Sequence, residues 1–223
     1  MKIRIITLFP EMFRGPFSCS ILGRAQEKGT IEIEYINLRD FGVGPRRQID
    51  DTPYGGGPGM IIKVDVMAKA IESAKKNFQL AQTVLLTPQG KVFNQETATN
   101  FAAEKEIIFI CGHYEGFDER IRTMVDHEVS IGKYILTGGE IPAMVIVDSI
   151  SRLVPGVLGQ DSSSVSESFS ADHLLEYPQY TRPDDYNGQK VPNILKSGNH
   201  HEIENWRASQ ASIKSKKYKK IDG

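Results

Sequence analysis

Residues 87–90 read Thr-Pro-Gln-Gly, residues 111–116 read Cys-Gly-His-Tyr-Glu-Gly, and residues 130–140 read Ser-Ile-Gly-Lys-Tyr-Ile-Leu-Thr-Gly-Gly-Glu. The first two loops each follow a short apolar run, at 83–86 and 107–111, which is typical of a buried parallel strand. Ligands of open α/β sheets bind outside the carboxyl ends of strands, where glycines let the backbone come close. The three loops therefore predict one binding pocket. The alternative is three ordinary turns that need glycine for a positive φ.

The chain before these loops predicts two strands and a broken helix. Lys2–Pro10 is a predicted strand closed by proline, and Ile31–Ile36 is a second strand with one solvent-facing side because its residues alternate strictly. Met12–Lys28 is predicted to be helical with an interruption near Gly15-Pro16. No G-x-G-x-x-G follows either strand, which argues against a dinucleotide site and against the common Rossmann-type methyltransferases.

Three further helices are predicted to connect strands. Asp65 is expected to cap a helix, Asn94 to start another that runs to Lys105, and residues 141–153 to form the last, with Pro142 in its first turn. The first of these helices places apolar residues on one face, namely Met67, Ala70, Ile71 and Ala74. Helices between strands are the crossovers of βαβ units, so we predict an α/β fold with a parallel sheet.

Composition excludes several classes of protein. The chain has 223 residues, a net charge of −1 and two cysteines, which fits one α/β domain with a smaller partner and gives no disulfide framework. Cys19 and Cys111 are predicted to be buried thiols. No apolar run approaches the roughly 18 residues of a membrane span, so we expect a soluble cytoplasmic protein.

The segment Arg46–Met60 is a loop rich in glycine and proline. It lacks the Lys-Ser/Thr ending of a P-loop, so we exclude a nucleoside triphosphate site. Its paired arginines and bendable backbone suit contact with phosphates, whereas the alternative is a flexible exposed loop.

The composition changes after the last predicted helix. A Ser-rich stretch predicts a mobile linker at 159–172, between a first domain at 1–158 and a second at 173–223. In the second domain Asn199 is expected to cap a helix that continues through Ile213. Residues 214–220 hold five lysines, which suit RNA contact or form a solvated terminus.

With these pieces in place, the sequence resembles the bacterial TrmD family of tRNA (guanine-N1)-methyltransferases, of the SPOUT class, along nearly its whole length. The resemblance rests on several long motifs in order, at residues 6–13, 51–60, 88–90, 111–116, 130–132, 136–144, 155–159 and 180–183. It implies an N-terminal α/β domain with a deep trefoil knot. It also implies a homodimer with active sites between subunits, and a helical C-terminal domain that binds the anticodon stem-loop of tRNA.

The resemblance implies that the three loops form the knot and bind S-adenosylmethionine in a bent shape. Backbone groups would contact the adenine, and Glu115 would face the charged methionine side. The family's contacts correspond to Leu86, Thr87, Pro88, Gly90, Gly112, Tyr114, Glu115, Ile131, Gly132, Lys133, Tyr134, Ile135, Leu136, Gly138, Gly139 and Pro142.

The chemistry of guanine N1 requires two further groups. N1 carries a proton at neutral pH, so methyl transfer needs a base at N1 and a donor or cation at O6. The resemblance assigns these roles to Glu167 and Arg152. Where the family usually has aspartate this chain has Glu167, which is one methylene longer, and Asp161 and Asp172 are the competing acids.

We therefore expect an enzyme that methylates N1 of guanosine 37 in tRNA. The alternative is an RNA-binding knotted protein without catalytic activity, and a nicotinamide-dependent oxidoreductase is disfavoured by the missing fingerprint. The family's reaction depends on magnesium, but no cluster of ligands in the sequence marks a metal site. Family members continue with further helix beyond the region of Trp206, whereas this sequence ends at Gly223.

Overall fold

A computed structural model of the protein describes residues 1–78, 80–158, 168–169 and 175–222. The chain divides into two compact units, Met1–Gly159 and Gln160–Gly223. Apart from residues 168 and 169, the predicted linker at 159–172 lies outside the described residues.

The first unit is built around a parallel sheet. Its strands in chain order are β1 (Lys2–Thr7), β2 (Glu32–Asn37), β3 (Asp50–Asp51), β4 (Ile61–Ile62), β5 (Gln82–Val92), β6 (Glu106–Cys111) and β7 (His127–Ser130). The main sheet has the order β2-β1-β6-β5-β7 with every neighbouring pair parallel, while β3 and β4 form a separate antiparallel pair. The predicted α/β fold with a parallel sheet is confirmed.

Helices cover both faces of this sheet. They are α1 (Arg14–Ser18), α2 (Ser20–Glu27), α3 (Val64–Lys75), α4 (Gln95–Ala102) and α5 (Glu140–Ser151), with 3-10 helices at Pro10–Phe13, Leu38–Phe41 and Glu119–Met124. Successive side chains of a strand point to opposite faces, so in β6 Phe109 packs with α2, α4 and α5 while Ile108 and Ile110 pack with α3. Burial of each large side chain is worth about 1.5–3 kcal/mol, which makes β6 a central element of the core.

The predicted buried face of α3 is confirmed, but its predicted cap is wrong. Met67 and Ala70 are fully buried. The carbonyl of Lys63 already accepts the first helical hydrogen bond, from Met67 N at 3.1 Å, so the helix begins before Asp65. Asp65 therefore lies in the first turn, where its charge favours the helix dipole.

Asn94 caps α4 as predicted. Its Oδ1 accepts hydrogen bonds from the backbone N and the side-chain hydroxyl of Thr97, each at 2.9 Å. The helix ends at Ala102 rather than Lys105, because the chain must turn before β6 begins at Glu106.

The first helical stretch breaks at Cys19 and not at Gly15-Pro16. Pro16 lies in the first turn of α1, where its missing N–H would have no helical partner. Cys19 has extended backbone angles, φ −117 and ψ 165, and it is exposed at this break. The prediction of a buried Cys19 is therefore wrong, whereas the buried state of Cys111 is confirmed.

The second unit contains a short hairpin and one long helix. The hairpin pairs β8 (Asp185–Tyr186) with β9 (Gln189–Lys190), a 3-10 helix follows at Asn193–Lys196, and α6 spans His200–Asp222. The predicted cap is confirmed, because Asn199 Oδ1 accepts a hydrogen bond from Glu202 N at 3.3 Å. Within the described residues no helix is long and apolar enough to cross a membrane.

Candidate active site

The three glycine-rich loops line a single cavity of 580 Å³ in the first unit. The first lies within β5, at a break in its pairing, and the other two follow β6 and β7; the three strands are neighbours in the sheet. Parallel neighbours present their carboxyl ends at the same edge of the sheet, so the prediction that the loops share one pocket is confirmed.

Most residues that the family resemblance implied for the cofactor lie on the wall of this cavity. They are Leu86, Thr87, Pro88, Gly112, Tyr114, Glu115, Ile131, Gly132, Tyr134, Ile135, Leu136, Gly138, Gly139 and Pro142. Two others, Gly90 and Lys133, do not line it. Gly90 instead lies against β7, where an added Cβ would be 2.4 Å from the backbone N of Val129.

The first loop bulges out of the β5 ladder. The pairing of β5 with β7 shifts register between Leu86 and Lys91 and then resumes. A bulge of this kind redirects the backbone, and here it carries Thr87, Pro88 and Gln89 onto the cavity wall.

The second and third loops touch through their backbones. Gly139 N donates a 2.8 Å hydrogen bond to Gly112 O. An added Cβ at Gly139 would be 2.7 Å from Cys111 Cα, a distance at which no side chain fits. Glycine at 139 is therefore required by the close approach of the two loops.

The residue after Gly139, Glu140, places a buried carboxylate next to this junction. Glu140 is 2% exposed, and its Oε1 accepts a 2.8 Å hydrogen bond from the Thr7 hydroxyl at the end of β1. Its other oxygen, Oε2, lies 4.0 Å from Nδ1 of His113. Burial and, secondarily, the charge of Glu140 raise the pKa of the Cys111 thiol well above its usual range.

Acidic side chains outnumber lysines and arginines on the wall of the cavity. Glu115, Glu119 and Arg122 all line it. The Arg122 guanidinium donates to Glu119 at 2.9 Å and also to Glu128 and Gln89. The single positive charge of Arg122 is shared by the carboxylates of Glu119 and Glu128, and Glu115 adds another negative charge. The net charge of this group is therefore negative, which favours a cationic ligand.

The Gly-Pro-rich segment predicted at 46–60 ends beside the second loop. Glu115 N donates to Met60 O at 3.1 Å, and an added Cβ on Gly59, whose φ is +77, would be 2.4 Å from the Glu115 side chain. Of the paired arginines, Arg47 is bound to Asp40 at 3.0 Å. The last residues of the segment thus contact the second loop but do not themselves line the cavity.

Of the two residues expected to act on guanine, the structure describes only Arg152. Arg152 follows α5 and does not line the cavity; its backbone N donates to Asp148 O at 3.3 Å. Glu167, with the competing Asp161 and Asp172, lies outside the described residues.

Sequence reasoning missed several residues of the wall and its support. His113 lies in the second glycine-rich loop, but no role was predicted for it. Glu119 and Arg122 are spaced three residues apart, a common ion-pair spacing on a helix, and this was the available signal. Nothing local marked Glu140 as buried, because its partner Thr7 is 133 residues away.

Comparison with known proteins identifies the family. The family model described as tRNA (guanine-1)-methyltransferase TrmD matches residues 1–222. The chain belongs to the TrmD family. The match covers every loop of the cavity wall and extends through α6, so both units of the chain are part of the TrmD pattern.

Individual TrmD-family relatives agree with this assignment, and each is named tRNA (guanine-N(1)-)-methyltransferase. The protein of Carboxydothermus hydrogenoformans is 57% identical over 96% of this chain and 83% of its own length. That of Syntrophomonas wolfei is 53% identical over 96% and 87%, and that of a Geobacter species 55% identical over 94% and 84%.

Proposed function

We propose that the protein transfers a methyl group from S-adenosylmethionine to N1 of guanosine 37 in tRNA. The observation that carries this proposal is the whole-length TrmD match together with the single cavity at which the family's glycine-rich loops meet. The relatives' printed names give the same reaction at guanine N1.

The cavity fits S-adenosylmethionine. Its 580 Å³ falls within the roughly 300–1,000 Å³ of small-molecule sites. Leu86, Ile131 and Leu136 supply apolar walls for an adenine ring. Glu115 and Glu119 supply negative charge for a sulfonium cation. When bound, the cofactor provides an electrophilic methyl group on a positively charged sulfur.

Acceptance of the methyl group at guanine N1 depends on the two polar residues assigned through the family. Glu167, which has one methylene more than the aspartate usual in the family, removes the N1 proton. Arg152 donates hydrogen bonds to O6, where negative charge accumulates as the proton leaves. Its guanidinium remains charged throughout, so it stabilises that charge without exchanging a proton.

We also propose the trefoil knot of the SPOUT class for the first unit. The position of β5 between β6 and β7, and the hydrogen bond between the second and third loops, support a tightly interlocked cavity wall. A knotted wall is held by topology as well as by contacts, so it suits a bent cofactor that requires a rigid binding site.

The proposed homodimer is supported by apolar side chains at the surface beside the cavity. Ile141 and Val145 lie one turn apart on α5 and are 45% and 43% exposed, and Ile135 of the third loop is 80% exposed. Exposed apolar groups that cluster near a functional site commonly mark an interface.

The second unit is proposed to bind tRNA. Lys214, Lys216, Lys217, Lys219 and Lys220 are exposed on the last turns of α6 rather than on an irregular tail. Lysines on one helical segment form a local positive field that attracts phosphates despite the net charge of −1.

The family resemblance implied that the reaction depends on magnesium. Among residues 1–78, 80–158, 168–169 and 175–222, no three His, Cys, Asp or Glu side chains form a group that would hold a metal ion.

The test is methyl transfer from labelled S-adenosylmethionine to unmodified tRNA transcripts with guanosine or adenosine at position 37. Wild-type protein should methylate only the guanosine transcript. Glu167→Gln should reduce the rate by at least about 10²-fold, the usual contribution of a general base.

Other results would change the proposal. Activity that survives in Glu167→Gln moves the base to Asp161 or Asp172. Absence of activity on any transcript, together with retained tRNA binding, favours the RNA-binding protein without catalysis.

A further inference from the structure

Glu140 occupies an unusual position for a carboxylate. It is 2% exposed, it begins α5, and no cation of the described residues bonds to it apart from the neighbouring His113, which would have to be protonated. Its two oxygens face different elements: Oε1 faces Thr7 on β1, and Oε2 faces the second loop. A buried acidic side chain is costly unless its oxygens accept hydrogen bonds.

The hydrogen bond from Thr7 has a fixed direction. Phe9 N donates to Thr7 Oγ1 at 3.0 Å, which occupies the hydroxyl as an acceptor. The hydroxyl hydrogen is then directed to Glu140 Oε1 at 2.8 Å. An acceptor at the position of Oε1 is therefore what satisfies the Thr7 hydroxyl hydrogen, and the position of Oε2 is left for His113.

His113 has a matching unpaired atom. Its Nδ1 is buried without a hydrogen-bond partner and lies 4.0 Å from Glu140 Oε2. The ring packs edge to face against Phe9 at 5.0 Å and Tyr114 at 5.1 Å. The His113 side chain is 25% exposed and lines the cavity, so its accessible surface belongs to atoms other than buried Nδ1.

We propose that Glu140 is a positioning residue that orients His113 as a hydrogen-bond acceptor for the cofactor. Nδ1–H of His113 faces the Glu140 carboxylate, which leaves Nε2 with a lone pair directed to the cavity. A carboxylate that fixes the tautomer of a histidine in this way is a common arrangement in functional sites. The group that Nε2 accepts from is an N–H or O–H donor of the ligand, such as an amine or a ribose hydroxyl.

This inference rests on the proposed function for the identity of the ligand, but the tautomer of His113 can be measured without any ligand. In Glu140→Gln an amide oxygen towards Thr7 keeps the Thr7 hydroxyl hydrogen bonded, so we expect the amide NH₂ to face Nδ1. Nδ1 then becomes an acceptor and the proton moves to Nε2. The substitution preserves shape and replaces the acceptor that faces Nδ1 with a donor.

The first measurement is the ¹⁵N NMR pattern of the imidazole rings in the full chain. His113 should be the Nδ1–H tautomer in the wild type and the Nε2–H tautomer in Glu140→Gln, with His113→Phe used to assign the signals. His127, whose Nε2 lies 2.9 Å from Gln82, should be unchanged in both proteins. The same tautomer in wild type and Glu140→Gln would overturn the proposal.

The second measurement is calorimetric binding of S-adenosylmethionine. Glu140→Gln and His113→Phe should each raise Kd by about fivefold to tenfold, the contribution of one hydrogen bond, and raise KM with kcat within about twofold. The double variant should bind no more weakly than either single variant, because the two residues act as a unit. Glu106→Gln, at the opposite end of β6, is the matched control and should bind as wild type does.

The outcomes separate this inference from the proposed function. If the wild type binds no S-adenosylmethionine, the proposed function fails while the tautomer still tests the inference. If the wild type binds and both single variants bind equally well, the inference fails alone. Should Glu140→Gln not fold, His113→Phe decides the matter, since it keeps the aromatic contacts and removes both nitrogens.

Discussion

The two thiols of the first unit differ in access to solvent and in charge environment. Cys19 lies exposed at the break between α1 and α2, and its Sγ donates to Gly15 O at 3.0 Å. Cys111 is 1% exposed at the end of β6, and burial next to Glu140 raises its pKa. The thiolate is the reactive form of cysteine, so Cys111 is protected by both its burial and its protonation.

We predict that a maleimide or disulfide reagent labels only Cys19 in the folded protein. Because the pKa of Cys111 is raised, its labelling should not increase between pH 7 and pH 9, and it should react only after denaturation. Mass spectrometry of the labelled peptides measures both sites. Cys19→Ser is the control and should leave the folded protein unlabelled, whereas rapid modification of Cys111 in that variant would contradict the prediction.

At single residues, sequence reasoning succeeded where the cause was local. Asn94 and Asn199 were identified as caps because the side chain bonds to a backbone N three residues on. It failed for Asp65, since the backbone of Lys63 had already started the helix. It could not identify Glu140 as buried, because the hydrogen-bond partner of this α5 residue is Thr7 of β1, which is distant in the sequence.

Among elements, the junction between the second and third loops controls the cavity wall. Gly139 is the last residue before α5, and its backbone N bonds to Gly112 O at 2.8 Å. An added methyl group would meet backbone atoms, Cys111 Cα at 2.7 Å and Gly112 N at 2.9 Å. Backbone atoms of a buried strand end cannot move aside as a flexible side chain does.

Gly139→Ala is therefore expected to destabilise the protein by about 1–3 kcal/mol, the usual cost of overpacking, and to weaken S-adenosylmethionine binding. Urea unfolding measures the first effect and calorimetry the second. Gly15→Ala is the matched control: an added Cβ there has no atom within 4 Å, and alanine favours a helix by up to about 1 kcal/mol. Equal unfolding midpoints for the two variants would refute the expected clash.

Hydrophobic patterns in the sequence predicted some strands and missed others. The strands β5 and β6 were predicted from apolar runs, since strands buried on both faces are continuously apolar. The continuation of β5 from Thr87 to Val92 was not predicted, because it depends on renewed pairing with β7 after the bulge. Likewise the short pair β3 and β4 was missed, as two-residue strands carry no period.

For the whole molecule, the proposed dimer depends on the exposed face of α5. We predict that Ile141→Glu combined with Val145→Glu places like charges in the interface and converts the dimer to a monomer. Light scattering coupled to size exclusion gives the mass. Leu80→Glu, at a residue that is 88% exposed, is the control and should keep the wild-type mass.

Two results would contradict the dimer. A wild-type protein with the mass of one chain would exclude it outright. A double variant that keeps the mass of a wild-type dimer would move the interface away from α5.

For the whole molecule, composition predicted the division of the chain but not the extent of the last helix. The change to Ser-rich residues after 158 predicted a linker before a second domain, and the lysines of 214–220 predicted a basic surface. It did not indicate that these lysines extend α6, because a charged run without apolar spacing has no helical period.

The hydrogen bond between Thr7 and Glu140 also bears on how the protein is made. The ribosome delivers Thr7 first and Glu140 133 residues later, which at about 5–20 residues per second means a delay of roughly 7–27 s. For most of that interval, until β6 at Glu106–Cys111 has been synthesised, β1 has β2 as a neighbour but lacks β6, so one edge of β1 stays unpaired. The ligand cavity, whose wall extends to Pro142, is therefore completed late in translation, and until β6 emerges the unpaired edge of β1 is open to pairing with other chains.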